Sequence, residues 1–318
     1  MSDPNNDPNK RWRMREYVVG VDLGGTKIEA CLLDSQRKCL DRQRVFSEAS
    51  KGMEHVIDKI VHLVHTVSGE KTISAVGIGT PGTFVEAEDR IYGSPHTPLY
   101  HTIGFIPSLK KRLSPCPIVV DNDANCLAVA EYFAGCKGKY HSVMAVILGT
   151  GVGSGLVLND RLYRGSLGGG GEIGHMTIDI HGRICECGRH GCVEAYLSGP
   201  SHSRRFFDLC SQKLQVQEIY KLYQEQNPHA IELFEESAKI MGETFANAVN
   251  LLDIEAIILG GGVSNLPIWY EKVPQYLDNL LFGVPRDRIP ILKAKLGDSA
   301  GVFGAAHLAL RKIGLVEF

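Results

Sequence analysis

Short apolar runs alternate along the chain with longer stretches in which apolar positions recur every three or four residues. The runs at 17–21, 28–33, 73–78, 118–121, 142–148, 155–158 and 256–259 predict strands. Helical spacing predicts helices at 53–66, 108–113, 124–133, 228–252 and 266–280, with a terminal helix from 302 to about 313. Strands interleaved with helices in this way argue for the α/β class.

One part of the pattern occurs twice. The stretch Val18-Val-Gly-Val-Asp-Leu-Gly-Gly-Thr-Lys-Ile-Glu-Ala-Cys-Leu-Leu-Asp34 lies over Val143-Met-Ala-Val-Ile-Leu-Gly-Thr-Gly-Val-Gly-Ser-Gly-Leu-Val-Leu-Asn159 at a constant offset of 125, without a gap. Each copy is an apolar strand, a small-residue turn and a second apolar strand, the grammar of a β-hairpin. Two copies predict two related lobes facing a cleft. The predicted division is a leader over 1–16, a first lobe over 17–134 plus 303–318 that carries a catalytic aspartate, and a second lobe over 135–302.

The turns of the two copies, Gly24-Gly25-Thr26-Lys27 and Gly149-Thr150-Gly151, lack bulky side chains, so backbone N–H groups can converge on a phosphate there. They are not a P-loop, which needs Gly-Lys-Ser/Thr leading into a helix. Nor do they match the dinucleotide fingerprint, since the sixth position counted from Gly149 is Ser154. A hairpin turn wants glycine for its own sake, so either turn alone says little. Asp22 ends the first strand where the second copy has Ile147, so one lobe alone offers a carboxylate to the Mg²⁺ that accompanies a nucleotide. Lys27 reads as a phosphate contact or as a solvated strand residue. Gly260-Gly261-Gly262 follows the strand at 256–259 and allows the close backbone approach that an adenosine site requires.

Two clusters carry candidate chemistry. Asp121, Asn122, Asp123 and Asn125 lie between a strand and a helix, where capping accounts for one or two of them. Asp123, in the first helical turn, is placed to take a proton from an attacking hydroxyl, and Asn122 to hold substrate hydroxyls. Further on, His175 precedes Cys185, Cys187 and Cys192, the last three spaced by glycines. Three thiolates and an imidazole fill a tetrahedral Zn²⁺ shell with no open position, so the ion is expected to be structural. His181 and His190 compete with His175 as the fourth ligand. Glu172 and Glu194 flank the ligands, and zinc would fix both as acceptors for sugar hydroxyls; either alone also reads as an ordinary surface carboxylate.

Composition narrows the partners. A formal net charge of −2 gives no global attraction to nucleic acid or to an anionic membrane. The leader has no apolar core, and no stretch approaches the roughly 20 apolar residues of a membrane helix. Nine cysteines without a secretory signal fit a reducing cytoplasm and a metal site better than a disulfide framework.

Taken together, Asp22-Leu-Gly-Gly-Thr-Lys27, Gly79-Thr-Pro-Gly82, Asn122-Asp-Ala-Asn125, Gly149-Thr-Gly-Val-Gly153, Gly171-Glu-Ile-Gly-His175, Cys185-x-Cys-Gly-x-x-Gly-Cys-x-Glu194 and Gly260-Gly-Gly262 resemble the ROK family of sugar kinases and repressors, from about residue 17 to 310. The resemblance implies an actin-like ATPase fold with two ribonuclease-H-like lobes, sugar closed between them, MgATP in the C-terminal lobe and a homodimer. It implies Asp123 as catalytic base and Gly82, Asn122, Glu172, His175 and Glu194 as sugar contacts. His175 would then hold zinc through one ring nitrogen and sugar through the other. ROK repressors carry an N-terminal winged helix-turn-helix; the first phosphate turn here begins at Gly24, so an enzyme is expected rather than a sugar-sensing regulator. The expected reaction is transfer of the γ-phosphate of MgATP to the 6-hydroxyl of a hexose, glucose or N-acetylglucosamine, with fructose or N-acetylmannosamine as alternatives. Many relatives have an asparagine in the sugar site near Ser94-Pro-His96-Thr97, where this chain has His96.

Overall fold

The computed structural model describes residues 16–93, 97–283 and 289–317. Strands β1 (Tyr17–Leu23) and β2 (Lys27–Asp34) are almost wholly buried and pair antiparallel. Strand β3 (Cys39–Phe46) continues the meander at the sheet edge and is mostly exposed. Its Asp41, Arg42, Gln43 and Arg44 break any apolar run, which hides the strand from a hydrophobic pattern and also blocks further edge pairing. Helix α1 (Met53–Ser68) buries Val56, Ile57, Ile60, Leu63, Val64 and Val67 along one stripe and stops at Gly69. Strand β4 (Ile73–Thr80) returns parallel to β1, placing Asp22 opposite Gly79. The small hairpin β5 (Thr83–Val85) and β6 (Arg90–Tyr92), helix α2 (Phe105–Arg112) and strand β7 (Ile118–Asn122) follow. The sheet order is β3-β2-β1-β4-β7.

Helix α3 (Asp123–Glu131) runs into one wider turn over Tyr132–Cys136. A second meander, β8 (Val143–Leu148), β9 (Val152–Leu158) and β10 (Arg161–Tyr163), comes next. Then come α4 (Glu194–Leu197), α5 (Gly199–Cys210), α6 (Val216–Gln224), the long α7 (Pro228–Leu252), β11 (Ala256–Gly260), α8 (Ile268–Asp278), β12 (Ile291–Lys293) and α9 (Ala300–Lys312). The order β10-β9-β8-β11-β12 repeats that of the first sheet strand for strand. In each, an antiparallel meander is followed by a parallel strand, β4 beside β1 and β11 beside β8. Among the described residues no helix is long and apolar enough to cross a membrane.

The duplication predicted from the sequence is therefore present, with one correction. Leu23 pairs with Ile28, leaving four residues in the first turn; Leu148 pairs with Val152, leaving three in the second. A gapless overlay is out of register beyond the turn, and a one-residue slip exchanges the two faces of a strand. Counted from the turn, Val152 and Leu156 correspond to Ile28 and Leu32. Both pairs face the main core of their own sheet.

The chain divides into two compact units, residues up to Asp121 with Ala305–Glu317, and Asn122–Gly304. The predicted boundary at 134 thus moves to 122, and that at 303 moves to 305. The reason is the packing of α3: Gly155 and Gly153 of β9 lie against Ala124 without an intervening side chain. Asp123 consequently belongs to the second unit. Residues 1–15 of the predicted leader, and His96, lie outside the described residues.

Candidate active site and metal centre

Strand β9 is the platform of the site in the second unit. A methyl group on Gly155 would overlap the carbonyl of Ala124, so α3 can rest on the strand only because that position is bare. The segment Gly171–His175 lies against β9 as well. A methyl group on Gly171 would lie 2.6 Å from the Ser154 carbonyl oxygen, and one on Gly174 would overlap that of Val152. The Ser154 hydroxyl donates to Gly171 O at 2.6 Å. Gly174→Ala is expected to cost roughly 1–3 kcal/mol through overpacking against rigid backbone. Urea unfolding measures it, and a variant as stable as its parent would show that the loop shifts freely.

Asn122 caps α3, its Oδ1 accepting the Ala124 N–H at 2.8 Å. Asp123 is the first helical residue, and its Oδ1 accepts the same N–H at 2.8 Å. Burial pushes the Asp123 carboxyl up to about 6; the Ala124 N–H works against this and the charge of Glu172 adds to it. The last effect means that Glu172 and Asp123 share one electrostatic environment.

The four proposed metal ligands converge. One donor atom from each of His175, Cys185, Cys187 and Cys192 lies within 4.8 Å of every other. Cys187 and Cys192 Sγ are 3.7 Å apart, and Cys185 Sγ is 3.8 Å from His175 Nδ1. Zinc–sulfur bonds of about 2.3 Å at tetrahedral angles would separate the sulfurs by about 3.8 Å. Burial pushes the Cys185 thiol up to about 12. Burial also acts to raise Cys187, but the Arg189 N–H and hydrogen bonds with Cys185 and Cys192 draw it down to about 7. Three thiols this close ionise together only around a cation, so the donor set fits Zn²⁺. Among the described residues it is the His175 ring that lies with the three thiols, while His190 Nδ1 pairs with Gly182 O at 2.9 Å. Arg189 donates to the backbone carbonyl of His175.

Glu194 opens α4, two residues after Cys192. Its Oε1 is 3.8 Å from Cys185 Sγ, and its Oε2 accepts the Val152 N–H at 2.9 Å. The carboxylate thus spans from the metal knuckle to the glycine turn. Gly151 leaves room for it, since a methyl group there would lie 2.7 Å from Oε2.

The turn itself is tied down at Gly149, whose N–H donates to Gly151 O at 3.0 Å and whose carbonyl accepts the Gly199 N–H at 2.8 Å. Strands β8 and β11 are parallel with Gly260 opposite Ile147, so Gly149-Thr150-Gly151 and Gly260-Gly261-Gly262 leave the same end of the sheet. That is the end at which open α/β sheets hold ligands. Gly261 has φ 84°, and a side chain there would strike the Leu148 carbonyl. The contribution of Gly199 escaped the sequence reading. Ser198-Gly199-Pro200 carries a helix-start signature that marks it, a capping serine with proline in the first turn.

In the first unit, Gly24 N–H donates to Lys27 O at 2.9 Å and closes the turn. The Tyr100 hydroxyl donates to Gly24 O at 2.9 Å, and the Ser47 hydroxyl to Gly25 O at 2.8 Å. Neither residue stood out in the sequence. Burial, and then the charge of Asp22, push Tyr100 up to about 12, which places Asp22 beside this turn. Thr26 O accepts the Ser47 N–H at 2.9 Å, and the Lys27 side chain is exposed at the start of β2. A cavity of about 270 Å³ is lined by Gly25, Ala49, Thr97, Pro98, Leu99 and Tyr100. Gly82, with φ 89°, enters the β5–β6 hairpin and sits against the Tyr92 carbonyl.

Comparison with known proteins places the chain in a family. The model of the ROK family matches residues 18–312. An N-acetyl-D-glucosamine kinase of Haemophilus influenzae is 33% identical over 307 residues, 92% of this chain and 99% of that protein. The crystal structure of a ROK hexokinase from Thermus thermophilus superposes with a TM-score of 0.85 at 31% identity, over 93% of this chain and 99% of the other. A ROK family glucokinase from Streptomyces griseus, solved with glucose and AMPPNP, gives a TM-score of 0.76 at 29% identity, again over 93% and 99%. The expected fold, an actin-like ATPase of two lobes, stands with these neighbours.

Proposed function

The chain belongs to the ROK family, and from that premise we propose that it transfers the γ-phosphate of MgATP to the 6-hydroxyl of N-acetylglucosamine or glucose. It is an ATP-dependent sugar kinase; the choice of sugar and of hydroxyl is the finer part of the reading. The observation that carries it is the grouping of Asp123 with Glu172, His175 and Glu194 around one strand of the second unit.

Asp123 is the base in this reading. A carboxyl near 6 is mostly ionised at neutral pH, yet basic enough to take a hydroxyl proton as oxygen attacks phosphorus. Asn122, Glu172, His175 and Glu194 hold sugar hydroxyls, and Gly82 belongs to a loop that lines the sugar. His175 presents Nδ1 to the cysteines, which leaves Nε2 for the sugar. When bound, zinc supplies a closed tetrahedral scaffold that fixes these acceptors and offers no open position for substrate. Asp22 holds the Mg²⁺ that arrives with ATP, through water. Gly24, Gly25, Thr26, Lys27, Gly149, Thr150 and Gly151 supply donors to the phosphates, and Gly260, Gly261 and Gly262 receive the adenosine. A cytoplasmic homodimer completes the proposal.

A coupled assay with N-acetylglucosamine, glucose, mannose, N-acetylmannosamine and fructose side by side tests it. The highest kcat/KM is expected for N-acetylglucosamine or glucose, with the product identified as the 6-phosphate. Turnover confined to fructose or N-acetylmannosamine would overturn the choice of sugar. ATP hydrolysis indifferent to every sugar would overturn the acceptor class.

A further inference from the structure

Glu194 sits on a helix too short to hold itself. In a four-residue helix the last carbonyls lack intrahelical partners; Glu194 O accepts the Ser198 N–H at 3.2 Å, and two side chains of α5 add to this. The Ser201 hydroxyl donates to Glu194 O at 2.8 Å, and Arg205 Nη1 donates to Tyr196 O at 2.8 Å. Arg205 is only 3% exposed, an unusual place for a guanidinium. There Nη1 also donates to the Ser237 hydroxyl at 2.8 Å, and Nη2 to Glu236 Oε2 at 2.7 Å, both on α7. The Tyr196 ring lies 5.6 Å from the guanidinium carbon. At the far end of that ring the Tyr196 hydroxyl accepts the Arg183 N–H at 3.1 Å, inside the metal knuckle.

One buried cation therefore ties α7 to the helix that bears Glu194, and through the Tyr196 hydroxyl that helix reaches the loop leading to the cysteines. Nothing about folding of the α5–α7 pair requires this choice, since apolar residues pack such interfaces at lower cost than a buried charge. What a guanidinium provides is direction: a planar fork with fixed donor angles sets the position of the Tyr196 carbonyl, and with it the axis of α4. We infer that Arg205 is a positioning residue for the kinase reaction, holding Glu194 at the angle that meets the sugar hydroxyls. The inference rests on the reading of Glu194 as a sugar contact.

The test is Arg205→Lys, which keeps the charge and loses the fork, compared with Glu194→Gln and with the double variant. Arg205→Lys is expected to raise the KM for sugar about tenfold while the KM for ATP, kcat and the zinc content stay within about twofold. A purely structural role would instead lower stability and zinc content and leave the KM of the folded fraction unchanged. Ser201→Ala, a gentler loss on the same helix, is expected to raise the sugar KM about threefold and serves if Arg205→Lys folds poorly. In the double variant the effects are expected to be less than additive, because one acts through the other. A raised sugar KM in Glu194→Gln with an unchanged one in both Arg205→Lys and Ser201→Ala overturns the inference. An unchanged sugar KM in Glu194→Gln overturns the sugar-contact reading instead.

Discussion

Replacing Asp123 with asparagine is expected to lower kcat by about 10²–10⁴-fold, the range a positioned general base contributes. The substitution keeps size and keeps an oxygen for the Ala124 N–H, so the start of α3 survives. Only the capacity to accept a proton is lost. Sugar affinity, read by calorimetry, is expected to stay within about threefold, since the loss falls on the transition state and not on the bound ground state. A variant that turns over normally would remove Asp123 from the mechanism. The parent enzyme adds a second signature. With the carboxyl titrating at about 6, kcat/KM is expected to fall tenfold per unit of pH below that value, and the residual activity of Asp123→Asn to lack this limb. The stability consequence has a definite sign. The folded state holds the Asp123 proton more tightly than the unfolded chain, so this group's contribution is fully present below 3.8 and is lost as pH rises through about 6. At pH 8 the half-buried carboxylate is therefore a cost, and Asp123→Asn is expected to melt above its parent there. The difference should vanish below pH 4.

The second large effect is expected from Cys187→Ser. Cys187 is the exposed member of the knuckle and the thiol that is drawn downward, so its loss disturbs the core least while breaking the ligand set. Zinc content is expected to fall from about one ion per chain to nearly none, because a serine hydroxyl does not replace a thiolate on Zn²⁺. The sugar KM is expected to rise at least about tenfold, since Glu194 lies against Cys185 and, in the proposed reading, His175 serves metal and sugar alike. Stability is expected to drop by several kcal/mol, because binding to a set that exists only when folded is itself folding free energy. Elemental analysis of the parent that finds no zinc would refute the metal assignment whatever the variant does.

Much of this site was legible because its residues are chemically unusual where they stand. Three cysteines clustered among glycines point to a candidate metal centre, and Asn122-Asp123 after a buried strand points to more than a cap. Strands β1, β2, β4, β8 and β11 were equally plain, being continuous apolar runs inside a sheet. The missed elements lack such runs for physical reasons. β3 is an edge strand that carries charge on purpose, and β5, β6, β10 and β12 are three residues each, too short for alternation to register. Helices α5 and α6 are amphipathic but polar overall, and their apolar stripes read clearly only once α7 is known to cover them. The boundary between units was misplaced because hydrophobic period says where α3 faces a core and not which core. Gly153 and Gly155, not α3 itself, decide that. Arg205 illustrates the opposite limit. Nothing in Ser201-His-Ser-Arg-Arg205 marks one arginine as buried and its neighbour Arg204 as exposed.

The unequal hairpin turns mean that the two halves of this molecule are no longer interchangeable parts. A fourth residue inserted between Leu148 and Val152 has to be looped out, or it turns β9 over. In the second case Val152 and Leu156 change places with Gly153 and Gly155, and the bare strip beneath α3 is filled by branched side chains. Turn length and glycine position in the second half are thus locked to each other, and both are locked to the helix that carries Asp123. If the halves descend from one ancestor, that lock works as a ratchet: once the helix had settled on the glycines, neither change could be undone without the other.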